Sequence, residues 1–568
     1  MSLVNCSSPA RGKRPGAGPI AVVSTLALLA GLFLPTWVAG EDTAVPAQSP
    51  GWIDPEGIQG ALVIVGGGEL PAEVTGRFMK LAGEAKARIV VIPTAADNAD
   101  EVITNADQLA RLLEPWKALG AADVQVLHTR SRTEADEGAF TESLRQATGV
   151  WLEGGSQSKL AEAYVGTAVE KELLALLARG GVIGGTSAGA AIQCRTMIAS
   201  GNPDPQMAIG LDLLPGSIID QHFLARNRRP RLITALTNNP GLVGLGVDEG
   251  TALIVQGRKL EVLGKSTVSV IFAPSTDGSL PVREFELKAG AAHDLTMLRR
   301  VAVSRTQPRF PPPEVPPTKL AAGSLVIVGG GGMPKEIVDK FIELAGGPDA
   351  PIVVLPTANP PLNDEGRSEN REGAFLRRAG AKNVTILRQR TKAEVESPEF
   401  EAAMTSAKGV WFGGGRQWRF VDTYAGTRAE EWIRGVLQRD GVIGGSSAGA
   451  TIQGDYLVRG SVLGNEEMMA EGYERGLGYL PGSAIDQHFA QRKRFADMTG
   501  VMKRHPQLLG IGIDEATAVI VRGQTAEIMG PGKAHFYDYR AGPPTGEQDY
   551  TSLGSGEKFD LVERKKTE

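Results

Sequence analysis

The run GVIGGTSAGA from Gly181 to Ala190 returns almost unchanged as GVIGGSSAGA from Gly441 to Ala450. Each begins as an apolar, β-branched stretch and ends in G-x-S-x-G, with Ser187 or Ser447 at the centre. An apolar strand that breaks into small residues and then runs into Ala-Gly-Ala reads as a strand, a sharp turn and a helix. A serine on such a turn is forced into the open, and the helix behind it favours developing negative charge. The alternative for the pentapeptide alone is a phosphate-binding loop or a plain turn.

Working outward, the repetition covers the chain. LVIVGGGELP from Leu62 returns as LVIVGGGGMP from Leu325, and IVVIPTA from Ile89 as IVVLPTA from Ile352. GVWLEGGSQ from Gly149 returns as GVWFGGGRQ from Gly409, IDQHF from Ile219 recurs at Ile485, and GVDEGTALIV from Gly246 becomes GIDEATAVIV from Gly512. The chain is one domain written twice. Its 568 residues exceed the ~150 expected of a single domain. The expected division is a leader over 1–40, a first copy over 41–304, a proline-rich stiff linker over 305–319 and a second copy over 320–568.

Within the first copy, ALVIV at Ala61, RIVVI at Arg88, DVQVL at Asp123, GVWL at Gly149 and GVIGG at Gly181 read as strands. Residues 157–179 carry Leu160, Tyr164, Val169, Leu173, Leu176 and Leu177 at helical spacing. Strand and helix in alternation predict an α/β fold with a parallel sheet covered on both faces, and a ligand crevice beyond the carboxyl ends of the strands.

Composition narrows the function. The net charge of −5 gives no footprint for nucleic acid, and 42% hydrophobic residues allow a large core. Two cysteines, Cys6 and Cys194, build neither a disulfide scaffold nor a cysteine-rich zinc module. Residues 1–40 hold Arg11, Lys13 and Arg14, an apolar run from Pro19 to Leu34, and Val38-Ala39-Gly40, the layout of a cleaved export signal. The expected location is therefore secreted or periplasmic. The rival reading, a membrane anchor, needs roughly 20 apolar residues. No other membrane segment is expected.

A serine needs a base. Of six histidines, only His222 and His488 stand at equivalent places, each in IDQHF. The base needs a carboxylate, for which Glu249 and Glu515 are preferred over Asp220, Asp486, Asp248 and Asp514. The order Ser, His, Glu differs from the Ser, acid, His order of α/β-hydrolases. Backbone N–H groups at Ala188 and Ala448, with the Gly-Gly turns at Gly155 and Gly415, are the expected oxyanion donors. Arg226, Arg228 and Arg231 follow the first histidine and suit a carboxylate-rich substrate. Arg492 and Arg494 follow the second, where Asp497 replaces the third arginine.

Taken together, the GGG turn, GG-x-Q, G-[TS]-SAGA, DQHF-x-x-R-x-R and DE-x-T-A resemble peptidase family S51, and within it the cyanophycinases more than the peptidase E dipeptidases. The resemblance implies a class I glutamine-amidotransferase-like (flavodoxin-like) fold and a Ser-His-Glu hydrolytic mechanism. It implies hydrolysis of an aspartate-rich polymer to β-Asp-Arg dipeptides, without metal or organic cofactor. By the resemblance the triads are Ser187, His222, Glu249 and Ser447, His488, Glu515. Gln157, Asp220, Gln221, Arg226, Arg228 and Arg231 match the substrate pocket, as do Gln417, Asp486, Gln487, Arg492 and Arg494. It also implies an internal pseudo-dimer of the two copies. GGSQ and GGRQ replace the family's GGNQ, so Arg416 is expected to crowd the second pocket, and the first copy is expected to be the competent one. Rival functions are an aspartyl or isoaspartyl dipeptidase and a non-catalytic binding protein on the same fold.

Overall fold

The computed structural model describes residues 53–568 apart from 361–371, 547 and 568. The export signal read over residues 1–40 lies outside the described residues. All five expected strands of the first copy form: β1 (Ile58–Val65), β2 (Arg88–Ile92), β3 (Asp123–Val126), β4 (Gly149–Leu152) and β5 (Val182–Thr186). They lie parallel in the order β3-β2-β4-β5-β1. Alternate side chains of β1 divide between two cores, as the two-residue repeat of a strand requires. Leu62 and Ile64 pack with Leu160, Tyr164 and Leu173 on one face. Val63 and Val65 pack with Phe78, Trp116 and Trp151 on the other. The glycines of GVIGG have a packing reason, since a Cβ at Gly184 would sit 2.4 Å from the Trp151 ring.

The sheets are mixed rather than purely parallel. Thr251–Gly257 lies antiparallel beside β1 and is followed by Lys259–Gly264 and Ala292–Asp294. A second sheet joins Ser217–Asp220 in parallel to Val243–Val247, then Thr267–Phe272 and Arg283–Lys288 in antiparallel. Beyond residue 243 the strands follow one another through short turns with no helix between, which permits only antiparallel pairing of neighbours. The second copy repeats the plan with a nine-stranded and a five-stranded sheet. The helix expected over 157–179 is two helices, Gln157–Tyr164 and Ala168–Ala178. Gly166, at φ 80°, breaks it, and Thr167 Oγ1 donates to the Tyr164 carbonyl at 2.7 Å.

The linker is strapped to the second copy instead of spanning open space. Phe310 stacks on Tyr456 at 6.1 Å, and Gln507 donates to the Pro312 carbonyl at 2.9 Å. The two copies meet through buried charge. Asp422 accepts from Arg258 at 2.9 Å, Arg300 at 2.8 Å and the Tyr473 hydroxyl at 2.9 Å. Glu471 accepts from Arg283 and Arg305, each at 2.6 Å. In these four ion pairs the acid belongs to the second copy and the arginine to residues 258–305. Among the described residues, no helix is long and apolar enough to cross a membrane.

Candidate active sites

The end of β1 organises the first site. Its last residue and the two glycines after it present three successive carbonyls, and each holds one distant segment. Val65 accepts from Ser187 N–H at 3.0 Å, Gly66 from His222 N–H at 2.7 Å, and Gly67 from Gly250 N–H, next to Glu249, at 2.9 Å. The second copy repeats this: Val328 accepts from Ser447 at 3.1 Å, Gly329 from His488 at 2.7 Å and Gly330 from Ala516 at 2.8 Å. The glycines are required because a Cβ at Gly67 would lie 2.2 Å from the His222 ring, and one at Gly330 2.3 Å from that of His488. GGG is thus the backbone bracket that gathers three side chains.

Both serines sit in the strained geometry that their turn predicts, at φ 52° and ψ −109° for Ser187 and φ 57° and ψ −115° for Ser447. Strain of this kind costs on the order of 1–3 kcal/mol and is held by the surroundings. Gly189 and Gly449 make it feasible, since a Cβ on either would come within 2.1 Å of a carbonyl oxygen on the neighbouring strand.

The side chains converge as the sequence implied. His222 Nε2 lies 2.9 Å from Ser187 Oγ, and His222 Nδ1 lies 2.5 Å from Glu249 Oε1. In the second copy the distances are 3.0 Å for Ser447 to His488 and 2.6 Å for His488 to Glu515. An ionised carboxylate only accepts, so Nδ1 carries the proton and Nε2 accepts from the serine hydroxyl. That is the tautomer of a base ready to take the serine proton. Burial holds both imidazoles below their ordinary 6.5. The bonds to Glu249 and Glu515 pull the other way, and Arg226 and Arg492 add to the lowering. Both rings are therefore neutral at pH 7.

The competing carboxylates have other work. Asp248 accepts from the N–H groups of Leu224 and Ala225, each at 3.1 Å, and pins the loop after His222. Asp514 does the same for Ala490 at 3.0 Å and also accepts from Lys533 N–H at 3.0 Å. These anchoring roles were not foreseen, although both aspartates stand at matching places in the repeat. Near the serine, Ala188 opens its helix, so its N–H has no helical partner. The Gly-Gly turn lies alongside, with a Cβ at Gly154 placed 3.5 Å from that of Ser187 and one at Gly414 3.5 Å from that of Ser447. Gly155 and Gly415, at φ 140° and 141°, admit no larger residue against Ala95 and Ala358.

The pocket residues divide into supports and open groups. Gln157 donates to the carbonyls of Ile198 and Ala199, and Gln417 to those of Val458 and Arg459, so both brace the loop beside the site. Asp220 is 1% exposed and gripped by Arg231 at 2.5 and 2.8 Å, with Arg228 at 3.5 Å. Arg226 and Arg492 are exposed. Gln221 and Gln487 are buried, yet the carboxamide oxygen of each has no protein partner.

One expectation for the second pocket is corrected. The third arginine is not lost: Arg459 reaches Asp486 at 3.2 Å and Asp497 at 2.5 Å, while Arg494 holds Asp486 at 2.7 Å. A guanidinium from another part of the chain fills the role of Arg231, with Ala199 at the matching place in the first copy. Arg416 is tethered beside the site, its Nη2 donating to the Ser461 carbonyl at 2.6 Å.

The model of peptidase family S51 matches this chain twice, at residues 62–263 and 325–529. The chain belongs to peptidase family S51. It is a serine-type peptidase of the cyanophycinase-like kind. It is 33% identical over 226 residues to the cyanophycinase of Geminocystis herdmanii (strain PCC 6308), a match covering 38% of this chain and 81% of that one. It is 35% identical over 230 residues to the cyanophycinase of Trichormus variabilis (strain ATCC 29413 / PCC 7937), covering 38% of this chain and 75% of the relative. Among solved structures, a peptidase from an acI-B1 Actinobacterium aligns at 23% identity and a TM-score of 0.33, over 43% of this chain and 98% of that one.

Proposed function

We propose that this S51 peptidase is an exported cyanophycinase with two Ser-His-Glu centres, hydrolysing an aspartate-rich polymer to β-Asp-Arg dipeptides by acyl transfer. The single observation behind this reading is the doubled relay of serine, histidine and glutamate at hydrogen-bond distance. Ser187 Oγ attacks the substrate carbonyl carbon while its proton passes to His222 Nε2. The oxyanion accepts from Ala188 and Gly155 N–H groups, and Glu249 stabilises the imidazolium. His222 then protonates the leaving amine as the C–N bond breaks. Water, deprotonated by His222, attacks the acyl-enzyme and frees the acid and the serine. The second centre runs the same steps through Ser447, His488 and Glu515, with Ala448 and Gly415 as donors.

Arg226 and Arg492 are the exposed cations beside the histidines, suited to substrate carboxylates, and the unpartnered oxygens of Gln221 and Gln487 are acceptors for a substrate N–H. The first pocket carries Glu153 and Ser156 where the second has Gly413 and Arg416. The two centres therefore share chemistry and differ in what they admit, with the polymer assigned to the first. Mass spectrometry of soluble products after incubation with insoluble cyanophycin tests this: β-Asp-Arg is expected. Cleavage only of Asp-X or β-Asp-X dipeptides would move the assignment to a dipeptidase. Sequencing the amino terminus of chain recovered outside the cytoplasm tests export.

A further inference from the structure

A cavity of about 610 Å³ lies where the first copy, the linker and the second copy meet. It shares no lining residue with either serine centre, and its size is that of a small-molecule site. Its wall holds several charges, most of which are already matched. Glu471 is bound by Arg283 and Arg305, and Arg300 by Asp422. Asp277 accepts from Ser275 Oγ at 2.6 Å and from Ser279 N–H at 2.9 Å.

Three guanidinium groups remain: Arg309 from the linker, Arg475 from the loop after Gly454–Tyr456, and Arg504 at the end of the helix Phe495–Arg504. Among the described residues, none of the three has a carboxylate within ion-pair distance. Arg475 sits over the Phe310 ring at 4.1 Å and its Nη2 donates to the Pro308 carbonyl at 3.5 Å, which positions the group and leaves its other edge N–H groups for a ligand. Beside them His505 is 6% exposed, and its Nδ1 is buried without a partner. A buried polar atom left unmatched is costly unless something completes it. Glu474 in the same wall is pushed up to about 7 by burial and by Glu471, so near neutral pH it carries only part of a negative charge against these arginines.

We propose that this cavity is a non-catalytic binding site for a small anion bearing a carboxylate or phosphate group, held by Arg309, Arg475 and Arg504 with His505. Because the wall comes from both copies and the linker, an occupant ties the copies together. The site stands independently of the hydrolytic reading, and so does its test.

The probes are inorganic phosphate and succinate, titrated into the full chain carrying Ser187→Ala and Ser447→Ala, with calorimetry and melting temperature as readouts. Binding of either probe with a rise in melting temperature is expected. Phosphate binding more tightly assigns a phosphate group, and succinate binding more tightly a carboxylate. Arg475→Gln with Arg504→Gln should weaken binding at least tenfold. Both arginines are exposed and outside ion pairs, so the fold should survive, which circular dichroism checks. Histidine NMR gives a second readout, in which the His505 signal shifts with ligand and vanishes in His505→Gln. Binding of neither probe, or binding untouched by the Arg475 and Arg504 changes, overturns the site.

Discussion

Asp220 and Asp486 occupy the same place in the two copies, and each is neutralised by two arginines, but not by the same two. In the first copy both arginines follow the histidine, Arg228 just before the helix Arg229–Asn238 and Arg231 within it. In the second, Arg494 stands just before the corresponding helix, and Arg459 comes from the loop after Gly454–Tyr456. The two halves thus preserve the charge balance around a buried carboxylate while changing its source. A buried anion without a partner is expensive, whereas the position in the chain that supplies the partner is free to move.

The largest effect expected from testing this comparison is at the serines. A fluorophosphonate probe should label both Ser187 and Ser447, and Ser187→Ala together with Ser447→Ala should lower kcat by a factor of order 10⁶. Of the single variants, Ser187→Ala should lose the larger share of polymer hydrolysis. Peptide mapping that never finds label on Ser447 would break the parity of the two centres.

Next come the buried ion pairs. Arg231→Ala and Arg459→Ala should each destabilise their own half by a few kcal/mol in denaturant unfolding, up to about 3–5 kcal/mol, because each takes one of two guanidinium groups from a buried aspartate. Adding Ala199→Arg to Arg231→Asp should recover much of the loss from Arg231→Asp alone, by rebuilding the second copy's arrangement in the first. An Arg459→Ala protein as stable as the parent would remove the equivalence.

A smaller difference lies at the turn after the triad acid. Gly250, at φ 61°, suits its left-handed backbone, but Ala516 adopts φ 56° at the matching place. Ala516→Gly should stabilise the second half by about 1 kcal/mol, measured by thermal melting, while Gly250→Ala should cost about as much.

The smallest effect is in pH. Each histidine must be neutral to act as base, and burial keeps both below 6.5, so activity should persist to below 6.5 and fall as acid protonates the ring. Arg226→Ala removes one contribution to that lowering and should move the acid limb of kcat/KM upward by a fraction of a pH unit, read in the Ser447→Ala background. Arg492→Ala should do the same in the Ser187→Ala background. A limb that moves downward would contradict the sign.

Much of this was legible in the residues because duplication supplied an internal control. Six histidines reduced to two equivalent ones, and serines, glutamates and Gly-rich turns recurred in step with them. The five parallel strands were legible from apolar, β-branched runs ending in glycine. The antiparallel additions were not, since a short strand after a turn carries the same local pattern whichever neighbour it pairs with. Arg459 was equally hidden: one arginine in a loop looks like any other until the fold brings it against Asp486. Asp248 and Asp514 were weighed only as triad acids, although their pairing with loop N–H groups is what they contribute.

The sequence by itself determined the doubling, the strand-to-helix turns that carry the serines, and the identity of the histidines, because these depend on local composition and on order along the chain. Only the tertiary structure decided which carboxylate meets each imidazole, how three carbonyls at the end of a strand bracket each triad, and where the second copy finds its missing cation. Those outcomes depend on distances between segments far apart in the chain, which packing sets and no local pattern encodes.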